Sequence, residues 1–324
     1  MVGVGHGERR VRFEYQGTSE YLAPKAVAAL RNLEGVPLYH HEQEMRHPLE
    51  IYLTTFSDVL EQKLALIELL DEVSAELPYI GNKEPGWEKK IVAATDHWLD
   101  SMIQHIDSCK GILSSFFCEG GSKQKSKCIS SFSKSIEQYR KQVATIVNLI
   151  KHKHRFLRVV YFHWVGGFVP GYFVEGVVQD GVLGPDPLVH ENANTAISYN
   201  RDIPFQLANL FFISAVLAQH VYEITERPAS VDTEKPFRDP NLAKVIKQVS
   251  IMPLTFFPDE VTKPVPFVKY QQKHNETVRV LIEMPCKRAK PQAVPDKSQI
   301  ATTFRVGEIA KTCKLPYFGT EVPA

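Results

Sequence analysis

The sequence predicts a mostly α-helical fold: an antiparallel four-helix bundle with a β-hairpin insertion and a small α+β C-terminal region. Three long stretches carry apolar residues at helical spacing, which predicts the first three bundle helices. A run rich in β-branched and aromatic residues follows and predicts short strands. A fourth, almost entirely apolar stretch then completes the predicted bundle.

The bundle helices are delimited by their apolar periodicity and by Gly, Pro and capping residues. A Gly/Ser/Lys-rich segment, 119–127, predicts a loop before the third helix. Asp202 is the predicted N-cap of the fourth helix, with Pro204 in its first turn. The four helices are predicted at approximately residues 49–77, 87–117, 128–156 and 203–226.

The remaining segments divide the chain into three predicted regions. Residues 1–48 form an N-terminal arm and helix, and residues 49–227 form the helical bundle. Residues 158–190 are the predicted β insertion, with a hairpin turn at Asp180-Gly181. Residues 228–324, which contain Pro-rich charged connectors, form the small α+β C-terminal region.

Composition excludes several classes of protein. A net charge of +1 gives no global attraction to nucleic acid or to anionic membranes, so any such role requires a local basic patch. Five cysteines without a C-x-x-C pair indicate reduced thiols, which favours a cytoplasmic protein. The most apolar run, Leu207–Ala218, is too short to span a bilayer and indicates a buried core helix. We therefore expect no membrane association.

The candidate functional residues lie at the end of the third bundle helix, in the run NLIKHKHR. Residues at steps of three and four share a helix face, which places Asn148, His152 and Arg155 on one line opposite the apolar stripe. Lys141 extends this line, and basic residues flank it. Imidazole titrates near neutral pH, so His152 is a candidate acid or base, with Asn148 beside it to hold a phosphate.

This run resembles the HEPN superfamily, whose helical domains include many prokaryotic ribonuclease toxins and defence proteins. Their motif is an arginine, a polar residue, a few residues and a histidine. Asn148 and His152 match the polar and histidine positions, whereas Val147 stands at the arginine position. The resemblance covers about residues 50–226.

The resemblance implies an RNA-directed protein of bacterial defence or toxin–antitoxin type, acting as a dimer and cutting RNA without a metal or cofactor. His152 and Asn148 would then be the catalytic residues. RNA or a nucleotide is the expected ligand, and a protein partner or a second copy of the chain is the expected partner. The expected nucleic-acid-binding residues are Lys141, Lys151, Lys153, His154, Arg155 and Arg158.

A second hypothesis assigns the same residues to a non-catalytic interaction or scaffold protein, whose basic helix end is a binding surface. Cations at a helix C-terminus also complement the helix dipole without any function. The missing arginine favours this second hypothesis. Three further histidines, His40, His41 and His47, lie in a polar connector that lacks the carboxylate or thiolate spacing of a metal site, so a solvated loop is expected there.

Overall fold

The computed structural model describes residues 12–76, 86–118, 123–164, 167–179, 181–227, 236–261, 263–273, 277–284, 299–302, 312–318 and 321–323. Along the described chain, one strand precedes four α-helices, four strands follow, and two more α-helices precede the last five strands. The helices are α1 (Lys25–Arg31), α2 (Pro48–Glu76), α3 (Trp87–Ser114), α4 (Lys123–Lys153), α5 (Tyr199–Thr225) and α6 (Pro240–Ser250).

Four long helices form where the apolar periodicity predicts them, but their ends differ from the prediction. The helix α4 begins at Lys123, so the predicted loop at 119–127 is wrong for residues 123–127. Lys and Gln are good helix formers, and they extend the helix back towards the glycines. Helix α5 begins at Tyr199 after Ser198, so Asp202 is a buried residue of its first turn rather than its N-cap.

Two sheets complete the fold. Their strands are β1 (Arg12–Thr18), β2 (Phe156–Trp164), β3 (Gly167–Gln179), β4 (Val182–Pro185), β5 (Ile197–Ser198), β6 (Phe267–Gln272), β7 (Thr277–Glu283), β8 (Gln299–Thr302), β9 (Thr312–Lys314) and β10 (Glu321–Pro323). The first sheet has the order β1-β7-β6, and the second has the order β10-β9-β4-β3-β2-β8, with β5 also pairing with β3.

The fold is therefore α+β, and the predicted mostly α-helical four-helix bundle with one inserted hairpin is wrong. The predicted insertion does contain antiparallel strands: β3 pairs with β4 on either side of the predicted turn, of which only Gly181 is a described residue. Strand β3 also pairs with β2, and these strands form the centre of a sheet. Strand β8 pairs with β2, and β9 pairs in parallel with β4. These pairings join residues far apart in sequence, and alternation within one strand does not reveal its partner.

The central hairpin separates two apolar clusters because successive side chains of a strand point to opposite faces. Leu157, Val159 and Tyr161 pack into the main core with the helices. Val160 and Phe162 pack on the other face, in a smaller cluster with Phe257. The face that joins the main core packs against the start of α3, where the rings of Tyr161 and Trp87 lie 5.2 Å apart, centre to centre.

Helix α5 is the central element of the main core, with buried residues along its whole length. Within the described part of the chain it is the one helix that is long and apolar enough to cross a membrane, and most of its apolar window is buried by the rest of the fold. The core also includes residues of α6, β1 and β7, such as Val245, Phe13 and Val280.

Candidate functional site: the junction of α4 and β2

The chain leaves α4 through a sharp turn. The last turn of α4 holds Lys151, His152 and Lys153, whose positions near the helix C-terminus complement its dipole. His154 then adopts a left-handed conformation with φ of 53°, and the amide of Arg155 donates to the Leu149 carbonyl at 3.2 Å. This turn ends α4 three residues before the predicted end and allows β2 to begin at Phe156.

Two ion pairs follow the turn. The Nε of Arg155 lies 3.0 Å from Oδ2 of Asp186. The Nε and Nη2 of Arg158 donate to the two carboxylate oxygens of Glu175 at 2.8 and 2.9 Å. The carboxylate side chains are 2% and 4% exposed, whereas the arginines are 29% and 14% exposed. Glu175 thus holds the Arg158 guanidinium by two hydrogen bonds. Arg155 and Asp186 form an ion pair without hydrogen-bond geometry, because neither Arg155 Nε nor Asp186 Oδ2 has a hydrogen-bond partner among the described residues.

Asp186 is fixed from several directions just after β4. Its amide donates to the Val174 carbonyl at 2.8 Å, and its Oδ1 accepts from the Leu188 amide at 3.0 Å. A Cβ at Gly176 would stand 2.3 Å from Asp186 Oδ2, so this position requires glycine. The carboxylate therefore has one orientation, and it aims at Arg155.

His190 supports the same corner as a neutral acceptor. Its Nε2 accepts from the Val174 amide at 2.9 Å. Burial lowers the pKa of His190 to about 3, so the ring stays neutral and accepts this hydrogen bond across the physiological range. His190 is thus a structural residue of the corner that holds Asp186.

A cleft of about 860 Å³ opens beside the two arginines. Volumes of this size are typical of small-molecule sites. One wall is the first half of α3, and the other is the end of α4 with the start of β2. Among the described residues, β8 pairs with Val160–His163 only, and the cleft lies along the preceding half of β2. Its lining residues are Gly86, Glu88, Lys89, Val92, Ala93, Asp96, Ile150, His154, Arg155, Phe156, Leu157, Arg158, Val159, Glu175, Gly176 and Leu183.

The cleft has charged and apolar parts. Phe156 is 60% exposed, and the Arg158 guanidinium lies 5.8 Å from the centre of its ring. Asp96 stands on the α3 wall, where burial, followed by the charge of Asp100, raises its pKa. The arrangement offers two guanidinium groups, an exposed aromatic ring and a carboxyl acceptor within one cavity.

The structure divides the predicted site residues into three groups. His154, Arg155 and Arg158 line the cleft. Asn148, His152, Lys141 and Lys153 are exposed on α4 outside it, and no hydrogen bond or ion pair joins their side chains to a described residue. Lys151 is paired with Asp100 on α3.

The position that the HEPN resemblance assigns to an arginine faces the interior. Val147 is 4% exposed and belongs to the main core. Asn148 and His152 lie on the exposed side of the same helix. A side chain at position 147 therefore points away from these two residues, and no cation reaches them from that position.

Other groups of potentially reactive side chains have structural surroundings. His105 lies 3.8 Å from the Cys109 Sγ and 2.9 Å from the Thr55 hydroxyl. Both His105 and Cys109 are fully buried, and burial lowers the pKa of His105 to about 3 and raises that of Cys109. This thiol is therefore protonated, and it is sealed from any substrate.

The connector histidines pack against one another. The His40 ring lies 4.0 Å from the His41 ring and 5.4 Å from the His47 ring, centre to centre. His40 is buried rather than solvated. Within the part of the chain that the structure describes, no group of three or more His, Cys, Asp or Glu side chains is placed to hold a metal ion.

Several residues of the cleft carry no signal in the sequence. Asp186 and Glu175 look like scattered turn and strand carboxylates until the hairpin brings them to the arginines. Lys89 and Asp96 belong to a different helix, and only the packing of α3 against β2 places them opposite Arg158. Phe156 was predicted to end α4 and instead begins β2.

Comparison with known proteins adds no relative. No protein-family model matches the chain, and no curated protein or solved structure matches it either.

Proposed function

We propose that this chain is a binding protein, and that the cleft beside α4 and β2 takes a small anionic ligand. This proposal is a sharper form of the non-catalytic hypothesis, because the basic end of α4 forms one wall of the site. The observation that supports it is that the two arginines lining the cleft keep unused hydrogen-bond donors. Asp186 and Glu175 hold them from the buried side, and no described residue accepts from either Nη of Arg155 or from Nη1 of Arg158.

Such arginines are suited to binding an anion. Guanidinium groups recognise carboxylates and phosphates through paired hydrogen bonds. A group that is already oriented loses little conformational freedom when it binds, so the buried carboxylates act as positioning residues. The two ion pairs together are neutral, and the cleft wall also carries His154 and Lys89 together with the acidic Glu88 and Asp96. The proposed selectivity for an anion therefore depends on the directed donors of the arginines rather than on net charge.

The test is a thermal-shift screen with small carboxylates and phosphates, followed by calorimetric titration of the anions that stabilise the protein. We expect binding that weakens at least about tenfold in Arg155→Gln, since a hydrogen bond to a charged group contributes roughly 1.5–3 kcal/mol. Lys153→Gln is the matched control, because Lys153 is a cation of the same helix end that lies outside the cleft. Equal losses in both variants, or no binding by any anion, would refute the proposal.

A second candidate function is metal-independent RNA cleavage by a dimer. It is favoured by one observation: Asn148 and His152 are both exposed, one helical turn apart, on the side of α4 that faces solvent. A second copy of the chain would have to supply the missing cation. Total RNA incubated in EDTA with wild type and with His152→Ala tests this function, since cleavage by wild type alone supports it. Intact RNA with a folded, dimeric wild type excludes it.

A further inference from the structure

We infer that the ligand of the cleft is a nucleoside monophosphate, with its phosphate at Arg155 and Arg158 and its base against Phe156. This inference rests on the proposed function, since it names the class of ligand for the same site. It follows from three features that the cleft brings together.

The first feature is the pair of arginines at one end. A phosphate has three acceptor oxygens and can accept from two guanidinium groups simultaneously. The free Nη donors of Arg155 and Arg158 belong to residues three apart in sequence, and both residues line the cleft. His154, in the turn that precedes them, lines it as well.

The second feature is the aromatic ring beside the cation. The Phe156 side chain is 60% exposed, and Arg158 Cζ lies over one face of its ring, 5.8 Å from the centre. A planar base could stack on the other face, with its phosphate reaching around the ring edge to the arginines. Base–aromatic stacking contributes roughly 1–3 kcal/mol in single-stranded nucleic-acid complexes.

The third feature is the α3 wall. Asp96 lines the cleft together with Val92 and Ala93. Its carboxyl group forms no direct ion pair with a described residue, and burial raises its pKa against the smaller lowering effect of the charges of His97 and Lys151. A carboxyl group accepts hydrogen bonds from ribose hydroxyls or from the exocyclic amine of a base. A simple fatty or aromatic acid offers no donor for it. A nucleotide offers the anion, the planar ring and the donors.

The experiment compares ligands that carry one, two or all three of these parts. Calorimetric titrations use inorganic phosphate, ribose 5-phosphate, adenosine and the four ribonucleoside monophosphates with wild-type protein. We expect at least one monophosphate to bind roughly tenfold or more tightly than ribose 5-phosphate and adenosine. Phe156→Ala should remove most of that difference, and it should weaken the nucleotide by a larger factor than ribose 5-phosphate, which has no base to stack.

The outcomes distinguish the nucleotide inference from the proposed anion-binding function on which it rests. A carboxylate or sugar phosphate that binds as tightly as the nucleotides, with Arg155→Gln defective, overturns the nucleotide inference and keeps the anion cleft. Nucleotide binding that Phe156→Ala does not weaken also overturns the inference. Absence of binding by every anion overturns both. Phe156→Leu, which keeps an apolar side chain without an aromatic ring, separates stacking from any loss of folding in Phe156→Ala.

Discussion

Two regions of this molecule concentrate charged side chains, and their surroundings are opposite. One is the start of α5, where Lys63, Asp202 and Glu260 lie inside the core, each at most 1% exposed. The other is the junction of α4 and β2, where Arg155 and Arg158 reach the wall of an open cleft. The comparison shows that a strongly shifted pKa and an accessible functional group need not coincide.

The region at α5 is sealed. Lys63 Nζ donates to the Ile203 carbonyl at 3.2 Å and lies 5.3 Å from the centre of the Trp98 ring. Asp202 accepts from the Tyr172 hydroxyl at 2.8 Å and from Gln206 at 2.9 Å. Burial is the first cause of the pKa shift of Lys63 and of Asp202. These groups hold helices and strands together, and solvent does not reach them.

The cleft is open, and its cations are held in place by buried carboxylates. When a buried carboxylate contacts one side of a cation, it orients the cation and leaves the other side accessible to a ligand. Shifted pKa values often mark functional sites, but structural networks shift them too. In this molecule the accessible donors, rather than the shifts, identify the candidate site.

The largest expected effect is the pH dependence that Lys63 gives to the free energy of unfolding. Burial lowers the pKa of Lys63 from 10.5 to about 7. Between these pH values the unfolded chain binds more protons than the folded one, so the free energy of unfolding rises with pH across this window, by up to about 5 kcal/mol. Urea titrations from pH 7 to 10 measure it. Lys63→Met should flatten this rise, and an unchanged slope in the variant would contradict the assignment.

The next effect comes from the cleft. Glu175→Ala leaves Arg158 half-buried without its bidentate partner, and we expect a loss of roughly 3 kcal/mol in the free energy of unfolding. Asp100→Ala breaks the more exposed pair with Lys151 and should cost about 1 kcal/mol or less. Urea titrations of both variants at pH 7 make the comparison. Equal losses would mean that the Arg158–Glu175 pair is no more important than a surface pair.

An effect of about the same size is expected from Glu260, and its pH dependence has the opposite sign to that of Lys63. Burial raises its pKa from 4.5 to about 7, although its carboxylate accepts from the amides of Ser198 and Phe257 at 3.1 Å. Between pH 4.5 and 7 the Glu260 carboxyl group binds more protons in the folded chain than in the unfolded one. Its contribution to the free energy of unfolding therefore falls by up to about 3 kcal/mol as pH rises through this window. Glu260→Gln should remove this fall. His105 and His190, whose pKa burial lowers to about 3, make stability rise with pH over much of the same range. The difference between wild type and Glu260→Gln at each pH therefore isolates the contribution of Glu260, and an identical pH dependence of the two proteins would contradict the assignment.

The helices could be predicted from the sequence, and the sheets could not. The apolar stripe of α2 predicts its bounds to within one residue at each end, because a helix is formed by local contacts. Strand β1 pairs with β7, and β2 pairs with β8, through residues that are far apart in the sequence, such as Phe13 with Ile282 and Val160 with Thr302. Alternation predicts strands but leaves their partners open.

The candidate site could be predicted in part for the same reason. The basic end of α4 is a local feature, and the sequence predicts a change from helix to strand there. The prediction places His154 and Arg155 inside the helix, whereas α4 ends at Lys153 and β2 begins at Phe156. Their carboxylate partners come from β3 and from the residue after β4, and the opposite wall comes from α3. The roles of Asn148 and His152 as catalytic residues stay a prediction.

The pairing of β1 with β7 has a consequence for synthesis on the ribosome. Strand β1 is the first described element of the chain, yet its hydrogen-bonding partner spans Thr277–Glu283. The four long helices α2 to α5 leave the ribosome before β7 does, so they can pack while β1 still has no strand to pair with. Completing both sheets requires ends of the chain that are distant in sequence, which slows folding relative to a helical bundle of similar size. A nascent chain stalled before residue 277 would expose the edge of β1, where a chaperone or another nascent chain can bind.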